Sequence, residues 1–363
     1  MKQSLFICTI LGCNPKIPFG KIQLLLTTVV VSCMVTFGLL LFLHILYPGE
    51  DVMNLEVISN IFTCLSSIGF MLSKLTLMLN KRKEMRKIFQ YIETVFWRIE
   101  DVPDETERTE CKKILLQGVY TIHAWSFLFI LWLFLCLKIK SLPLKCYQPE
   151  WIPLPFLIVL ENVAFILLSM GVIAIDGIIM NLFLMIAIQL KMLNREFKSM
   201  FDTKDENFIA EKIVKLIEHH DFILWFTSLI NETISASMVI FLGNIVSNLC
   251  IYLYHFSTMN SIGWGIIRDI DVLGGTLIGI FGAYCVPAQI CINEAEDIKI
   301  SAYFSKWYEH PRFKRHISMI LARDSLGITI TAGGIVKVDL ETALRVVKLA
   351  CSYYCFLKTV TDI

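Results

Sequence analysis

The sequence predicts an all-α membrane protein of seven transmembrane helices, with its N-terminus cytosolic and its C-terminus extracellular. Three observations carry this. The 363 residues are 56% apolar and 18% charged, against about 45–50% and about 25% in soluble domains, and mean hydropathy is +0.64. The apolar residues fall in long blocks with the charges clustered between them. The basic charges gather in alternate loops. Residues 1–363 therefore read as one membrane domain.

A helix of roughly 20 apolar residues crosses the hydrocarbon core, and helices are the natural spanning element because lipid offers backbone groups no water to bond. Seven segments fit: 22–46, 55–79, 114–137, 154–190, 222–254, 272–298 and 340–357. The fourth is long enough to tilt or to extend past the membrane. The fifth is diluted by Asn231, Glu232 and Thr233, and the seventh, the weakest, carries Arg345 and Lys348. The first twenty residues hold Pro15 and Pro18 and lack a compact apolar core with a cleavage site. No cleavable signal is expected, and the first span starts insertion itself.

Lys and Arg set the orientation. The N-terminal segment has three, and the loops 80–113, 191–221 and 299–337 have nine, six and seven. On the other side the segments 47–54, 138–153, 255–271 and the tail after residue 357 have none, three, one and one. Twenty-five against five puts the N-terminus inside and, with seven spans, the C-terminus outside.

The basic loops carry helical patterns. Met85, Ile88, Phe89, Ile92, Val95 and Phe96 recur at helical spacing after the second span, and Phe208, Ile213, Val214, Leu216 and Ile217 do so ahead of the fifth. Helices lying on the lipid surface would show this pattern. Extensions packed together below the membrane are preferred, because both adjoin spans without a Gly or Pro break.

No HExxH, GxSxG, phosphate-loop or nucleotide-binding glycine pattern is present, and no enzyme is expected. The net charge of +1 points to no nucleic acid. No CxxC or Cys/His spacing predicts a metal or cofactor. His219 and His220 are adjacent, so they diverge on a helix. Most of the twelve cysteines sit in apolar runs as small core residues, while Cys146 is expected to face outward. Gly333 and Gly334 are expected to turn the chain before the last helix. Asn231-Glu232-Thr233 matches a glycosylation triplet by chance, since it lies in a span on the cytosolic side.

Polar residues within spans are costly and therefore informative. Lys74 is expected to snorkel from the cytosolic end of the second span. Glu161 and Asp176 are fifteen residues apart, about four turns, and share a face roughly. A proton relay, ion pairing or water contact would each explain them. Aromatic and sulfur side chains crowd spans two to four. They read either as packing and lipid contact or as the wall of a cavity for a small apolar molecule. Phe70, His123, Phe127, Ser169 and Ile173 suit the cavity best.

The last third is the most specific part. It contains Tyr284-Cys285-Val286-Pro287-Ala288-Gln289, Ala302-Tyr303, Lys306-Trp307-Tyr308 and a closing Ser352-Tyr353-Tyr354 with Leu357. This resembles the C-terminal signature of insect odorant receptors, and the length and architecture are similar to that family throughout. The resemblance implies an odorant-binding subunit of a ligand-gated, non-selective cation channel in the plasma membrane of sensory-neuron dendrites. Its implied partners are a small volatile ligand and the shared odorant co-receptor, in a heterotetramer. It implies a pocket among spans two, three, four and six, a cytosolic subunit anchor that includes Tyr303, Trp307 and Tyr308, and a hydrophobic gate near Phe356, Leu357 and Val360. Arg345 and Lys348 depart from what a cation-pore helix would carry. A gustatory receptor subunit is the alternative, though no Thr-Tyr-hhh-hhQF ending (h apolar) is found. A G-protein-coupled receptor would want Asp-Arg-Tyr and Asn-Pro-x-x-Tyr and the opposite orientation. A transporter would rest on Glu161 and Asp176, without an inverted repeat to support it.

Overall fold

A computed structural model describes residues 1–48, 55–138, 146–149, 151–258, 264–324 and 327–361. The chain is a helical bundle. Its elements are α1 (Lys2–Ile10), α2 (Lys21–Leu46), α3 (Leu55–Asn80), α4 (Arg82–Thr94), α5 (Glu105–Lys138), α6 (Leu154–Lys198), α7 (Glu206–Thr258), α8 (Trp264–Leu277), α9 (Val286–Tyr303), α10 (Lys314–Asp324) and α11 (Leu340–Thr361). A two-stranded hairpin, β1 (Thr331–Ala332) with β2 (Val336–Lys337), precedes α11.

Among the described residues six helical stretches are long and apolar enough to cross a membrane: α2, α3, α5, α6, α7 and the run from α8 through α9. Helix α11 is not one of the six. Glu341, Arg345, Lys348 and Lys358 break its apolar character. It is nonetheless a continuous helix packed on α7, and its Thr342, Ala343, Val346 and Ala350 are buried.

Several helices outrun the bilayer. At 1.5 Å per residue the 53 residues of α7 span about 80 Å and the 45 of α6 about 68 Å, against about 30 Å of hydrocarbon. The excess lies at the end of the bundle that carries α4 and α10. There Tyr91 and Phe96 meet Phe222 edge-on, with ring centroids 5.7 and 6.2 Å apart, and Trp97 stacks on His219 at 3.9 Å. Met85, Ile88 and Phe89 of α4 and Ile209, Ile213 and Leu216 of α7 are buried in the same core. The amphipathic stretches are thus packed on one another. The first is a separate helix after a single-residue break at Lys81, and Phe208 and Val214 face outward.

Helix α6 is the axis of the fold, buried along most of its length after Gly171. A Cβ on Gly171 would sit 1.7 Å from the Met71 Cε, so the Met71 side chain occupies the space that this glycine leaves open. Sequence reasoning missed α1 altogether. It has no long apolar run, yet Ser4, Cys8 and Leu11 are buried because the helix lies on α6. Arg82 holds the following segment, donating to the carbonyls of Asn14 (2.6 Å) and Ile17 and to Gln23 Oε1 (2.6 Å).

The run from α8 to α9 widens into a π-helical stretch, Ile278–Cys285, just before Pro287. Proline lacks an N–H and its ring collides with the carbonyl one turn back in a regular helix. A wide turn upstream accommodates both, and such turns recur at functional sites.

Gly333 and Gly334 do turn the chain. Both have positive φ, 63° and 71°, with Ile335 N–H donating to the Ala332 carbonyl at 3.2 Å, as a type I′ hairpin turn requires. The hairpin is tied to α7. Asn231 Nδ2 donates to Thr331 Oγ1 (3.1 Å), Thr331 N–H donates to Asn231 Oδ1 (2.8 Å), and Ser235 Oγ donates to the Thr331 carbonyl (3.1 Å). Asn231, read as a chance glycosylation triplet, has this structural role.

Candidate ligand chamber

In the half of the bundle away from α4, five helices enclose a cavity of about 230 Å³. Drug-sized pockets run about 300–1,000 Å³. This chamber suits a smaller organic molecule.

Each wall follows from helical spacing. Helix α3 supplies Asn60, Thr63, Cys64, Ser67 and Phe70. Helix α5 supplies Trp125, Leu128, Phe129 and Trp132, at steps of three, one and three. Helix α6 supplies Phe165, Leu168, Ser169, Val172, Ile173 and Asp176, and α8 supplies Asp271, Val272, Gly275 and Thr276. Helix α7 adds Phe241, Asn244, Ile245, Asn248 and Tyr252. The resemblance had implied spans two, three, four and six, and the fifth contributes as well. Its signal was present: Asn244 and Asn248 are one turn apart in an apolar helix, and such amides face the bundle interior.

Of the five expected ligand residues, Phe70, Ser169 and Ile173 line the chamber. His123 and Phe127 do not. They lie on the outer face of α5 with Tyr120, Ile130 and Phe134, all exposed, where a bilayer would cover them. The two faces of α5 are readable by register, because residues 123 and 127 are out of phase with 125, 129 and 132.

The inner floor of the chamber is ionic. Lys74 does not snorkel. It is fully buried and donates to Asp176 Oδ1, which also accepts from the Tyr284 hydroxyl at 2.5 Å. The Lys74 ammonium lies 4.0 Å from the centroid of Phe70 and 5.5 Å from that of Phe241. Phe241 packs on Tyr284 at 4.2 Å. A buried pair of charges needs such company, since removing two ions from water is offset only by close contact and further hydrogen bonds. The π-helical turn delivers Tyr284, which no reading of the sequence could place beside Lys74.

Glu161, expected to share the face of Asp176, is buried farther out among α2, α3 and α6, beside Cys64 and Cys146. The two carboxylates do not form one relay. Cys146, expected on the outer side of the membrane, is buried. At the end farthest from Lys74, Ser59 Oγ lies 2.7 Å from His255 Nε2, and His255 Nδ1 lies 3.4 Å from Asp269 Oδ2. These contacts join α3, α7 and α8 where the chamber ends.

The residues expected as a subunit anchor lie together at the α4 end. Tyr303 and Tyr308 are exposed, and Trp307 is half-buried, its indole N–H donating to the Tyr303 carbonyl at 3.1 Å. Of the expected gate, Phe356 is exposed on α11. Leu357 and Val360 lie outside the residues whose side chains are described. Among the described residues no cluster of His, Cys, Asp and Glu could hold a metal.

An all-α bundle with six helical stretches apolar enough to cross a bilayer and a chamber among them has the architecture of a multi-pass membrane protein. The chain belongs to the 7tm Odorant receptor family, whose model matches residues 54–351. The fold is similar to that of the insect olfactory receptor OR5 from Machilis hrabei, with a TM-score of 0.83 at 15% identity over 99% of this chain and 97% of that one. The same receptor in complex with eugenol gives a TM-score of 0.84 at 15% identity, with the same coverage. No curated protein sequence matches the chain.

Proposed function

We propose that this chain is the odorant-binding subunit of a ligand-gated, non-selective cation channel, assembled with the shared odorant co-receptor as a heterotetramer. The observation that carries the reading is the chamber among α3, α5, α6, α7 and α8, which combines aromatic and aliphatic side chains with polar ones. The eugenol complex of the Machilis hrabei receptor supports the ligand class. The protein lies in the plasma membrane of sensory-neuron dendrites, N-terminus inside.

In this reading α11 is the seventh span and faces the channel axis. Its inner face rests on α7, while Leu344, Arg345, Lys348, Leu349, Tyr353 and Phe356 are exposed on the single chain. Phe356, with Leu357 and Val360, forms the gate, which closes by dewetting. Arg345 pairs with Glu341 one turn before it, at 2.5 Å, which masks its charge from passing cations. Tyr303, Phe304, Trp307 and Tyr308 form the anchor. Large rings exposed as a group mark a surface that meets a partner.

Ligand in the chamber opens the pore only if it binds the open conformer more tightly than the closed one. Helix α7 couples the two regions, since it lines the chamber with Phe241 and Asn248 and carries α11 on another face. The test is voltage clamp of cells expressing the chain with and without the co-receptor, against diverse volatiles. Volatile-evoked cation current that needs the chain is the expected result. Absence of current across the panel, with the chain at the surface, would overturn the reading.

A further inference from the structure

The chamber carries more hydrogen-bond acceptors than an apolar ligand can use. Four of its polar side chains are at least nine-tenths buried, and each has one atom without a hydrogen-bond partner. These atoms are Thr63 Oγ1, Asp176 Oδ2, Asn248 Oδ1 and Asp271 Oδ1. They come from four different helices, yet all line the one cavity.

Their orientations are fixed by what their other atoms do. Asn244 Nδ2 donates to Ser66 Oγ at 2.9 Å, and Asn248 Nδ2 donates to Asn244 Oδ1 at 3.2 Å. This chain commits the amide nitrogen of Asn248 and leaves its carbonyl oxygen open. Asp176 spends Oδ1 on Lys74 and Tyr284 and leaves Oδ2 open. A buried acceptor left unmade is costly, and an amide carbonyl and a carboxylate are relieved by the same partner, a donor.

We infer that the chamber selects volatiles that carry a hydrogen-bond donor, an alcohol, a phenol or an amine, over ethers and hydrocarbons of equal size. The inference rests on the receptor reading above and names the ligand class of that site. The apolar body of the ligand lies against Trp125, Phe129, Phe165 and Ile173. Its donor reaches one of two acceptor groups. One is Asn248 and Asp271, toward the far end, with the Thr63 hydroxyl, which can accept or donate. The other is Asp176 on the ionic floor. On α3, Thr63 and Lys74 are eleven residues apart, about 16 Å of helix, so a small ligand uses one group at a time. A site built to bond an O–H or N–H rejects the analogue that lacks it, because its own polar groups stay unpaired.

The test uses the full chain expressed with the co-receptor and a broad volatile panel built from isomeric pairs, hexanol with pentyl methyl ether and benzyl alcohol with anisole among them. The donor of each responding pair is expected to act at concentrations at least about tenfold lower than its isomer. Asn248→Leu and, as the milder change, Thr63→Val should shrink that preference while responses to the ethers persist, a pattern that misfolding would not give. Ethers as potent as their alcohol isomers would overturn the donor rule and leave the receptor reading standing. No current from any volatile, with the chain at the surface, would overturn both.

Discussion

Lys74 shows how one residue can be misread from its neighbours. In the sequence it sits near the end of an apolar span, where a lysine reaches for the interface. In the fold it is buried against Asp176, which lies 102 residues further on. Removing one partner of a buried pair leaves an uncompensated charge, at a cost of about 3–5 kcal/mol. Lys74→Met should therefore depress the thermal midpoint of the detergent-solubilised protein strongly, and adding Asp176→Leu should restore most of it. A double variant no better than the single one would mean that the pair is not the cause. His219 and His220 make a second prediction, ahead of the fifth span. Burial, with a smaller push from His220, brings His219 down to about 4, and burial brings His220 to about 4 against the pull of Asp221. The unfolded chain takes up these protons near pH 6.5 and the folded chain does not. Stability from them is full above about 6.5 and falls as pH drops from there toward 4, by at most about 1.4 kcal/mol per unit for each histidine. Melting midpoints between pH 7.5 and 4.5 should follow that slope. His219→Phe, which keeps a ring on Trp97, should make it shallower, and an unchanged slope would contradict the assignment.

At the scale of elements, the long helices were legible and their partners were not. Six spans could be read because a bilayer imposes a run of about twenty apolar residues, and a run of that length is visible without knowing what it touches. Helix α1 was invisible for the opposite reason. Of its nine residues only Ser4 and Cys8 are buried, where the helix lies on α6. The chamber was half legible: spacing identifies an inward face, so Phe70, Ser169 and Ile173 could be found. His123 and Phe127 have suitable chemistry but stand on the exposed face of their own helix. The wide turn before Pro287, which brings Tyr284 to Asp176, has no signal beyond the proline itself. The hairpin before α11 gives a test at this scale. Gly333 has φ of 63°, and a Cβ there would meet Val239 Cγ2 at 2.7 Å. Gly333→Ala should destabilise by roughly 1–3 kcal/mol. Asn231→Ala, which orphans both Thr331 groups, should cost a similar amount. Thermal melts of the two variants check this, and wild-type midpoints would show that the hairpin does not brace α7 against α11.

For the whole molecule, the exposed faces of the helices differ in character. Helices α2 and α5 expose apolar side chains such as Leu25, Phe42, Tyr120 and Phe127, which lipid covers. The exposed face of α11 mixes Arg345 and Lys348 with Leu344 and Phe356, a mixture that suits water and a partner subunit better than lipid. Cys351 and Cys355 are exposed on α11. A small, membrane-impermeant thiol reagent applied during current flow should therefore reduce it, and Cys351→Ser with Cys355→Ser should abolish that effect. Persistence of the block in the double variant would place α11 away from the pore. The central claim is that ligand in the chamber opens the channel, and filling the chamber tests it most directly. Ser169 lines the cavity on α6, and Ser169→Phe places a ring where the ligand would sit. In voltage clamp with the co-receptor, the account predicts normal surface expression with volatile sensitivity reduced at least about tenfold, a loss of about 1.4 kcal/mol or more in binding. An unchanged concentration–response curve with the chamber filled would contradict it.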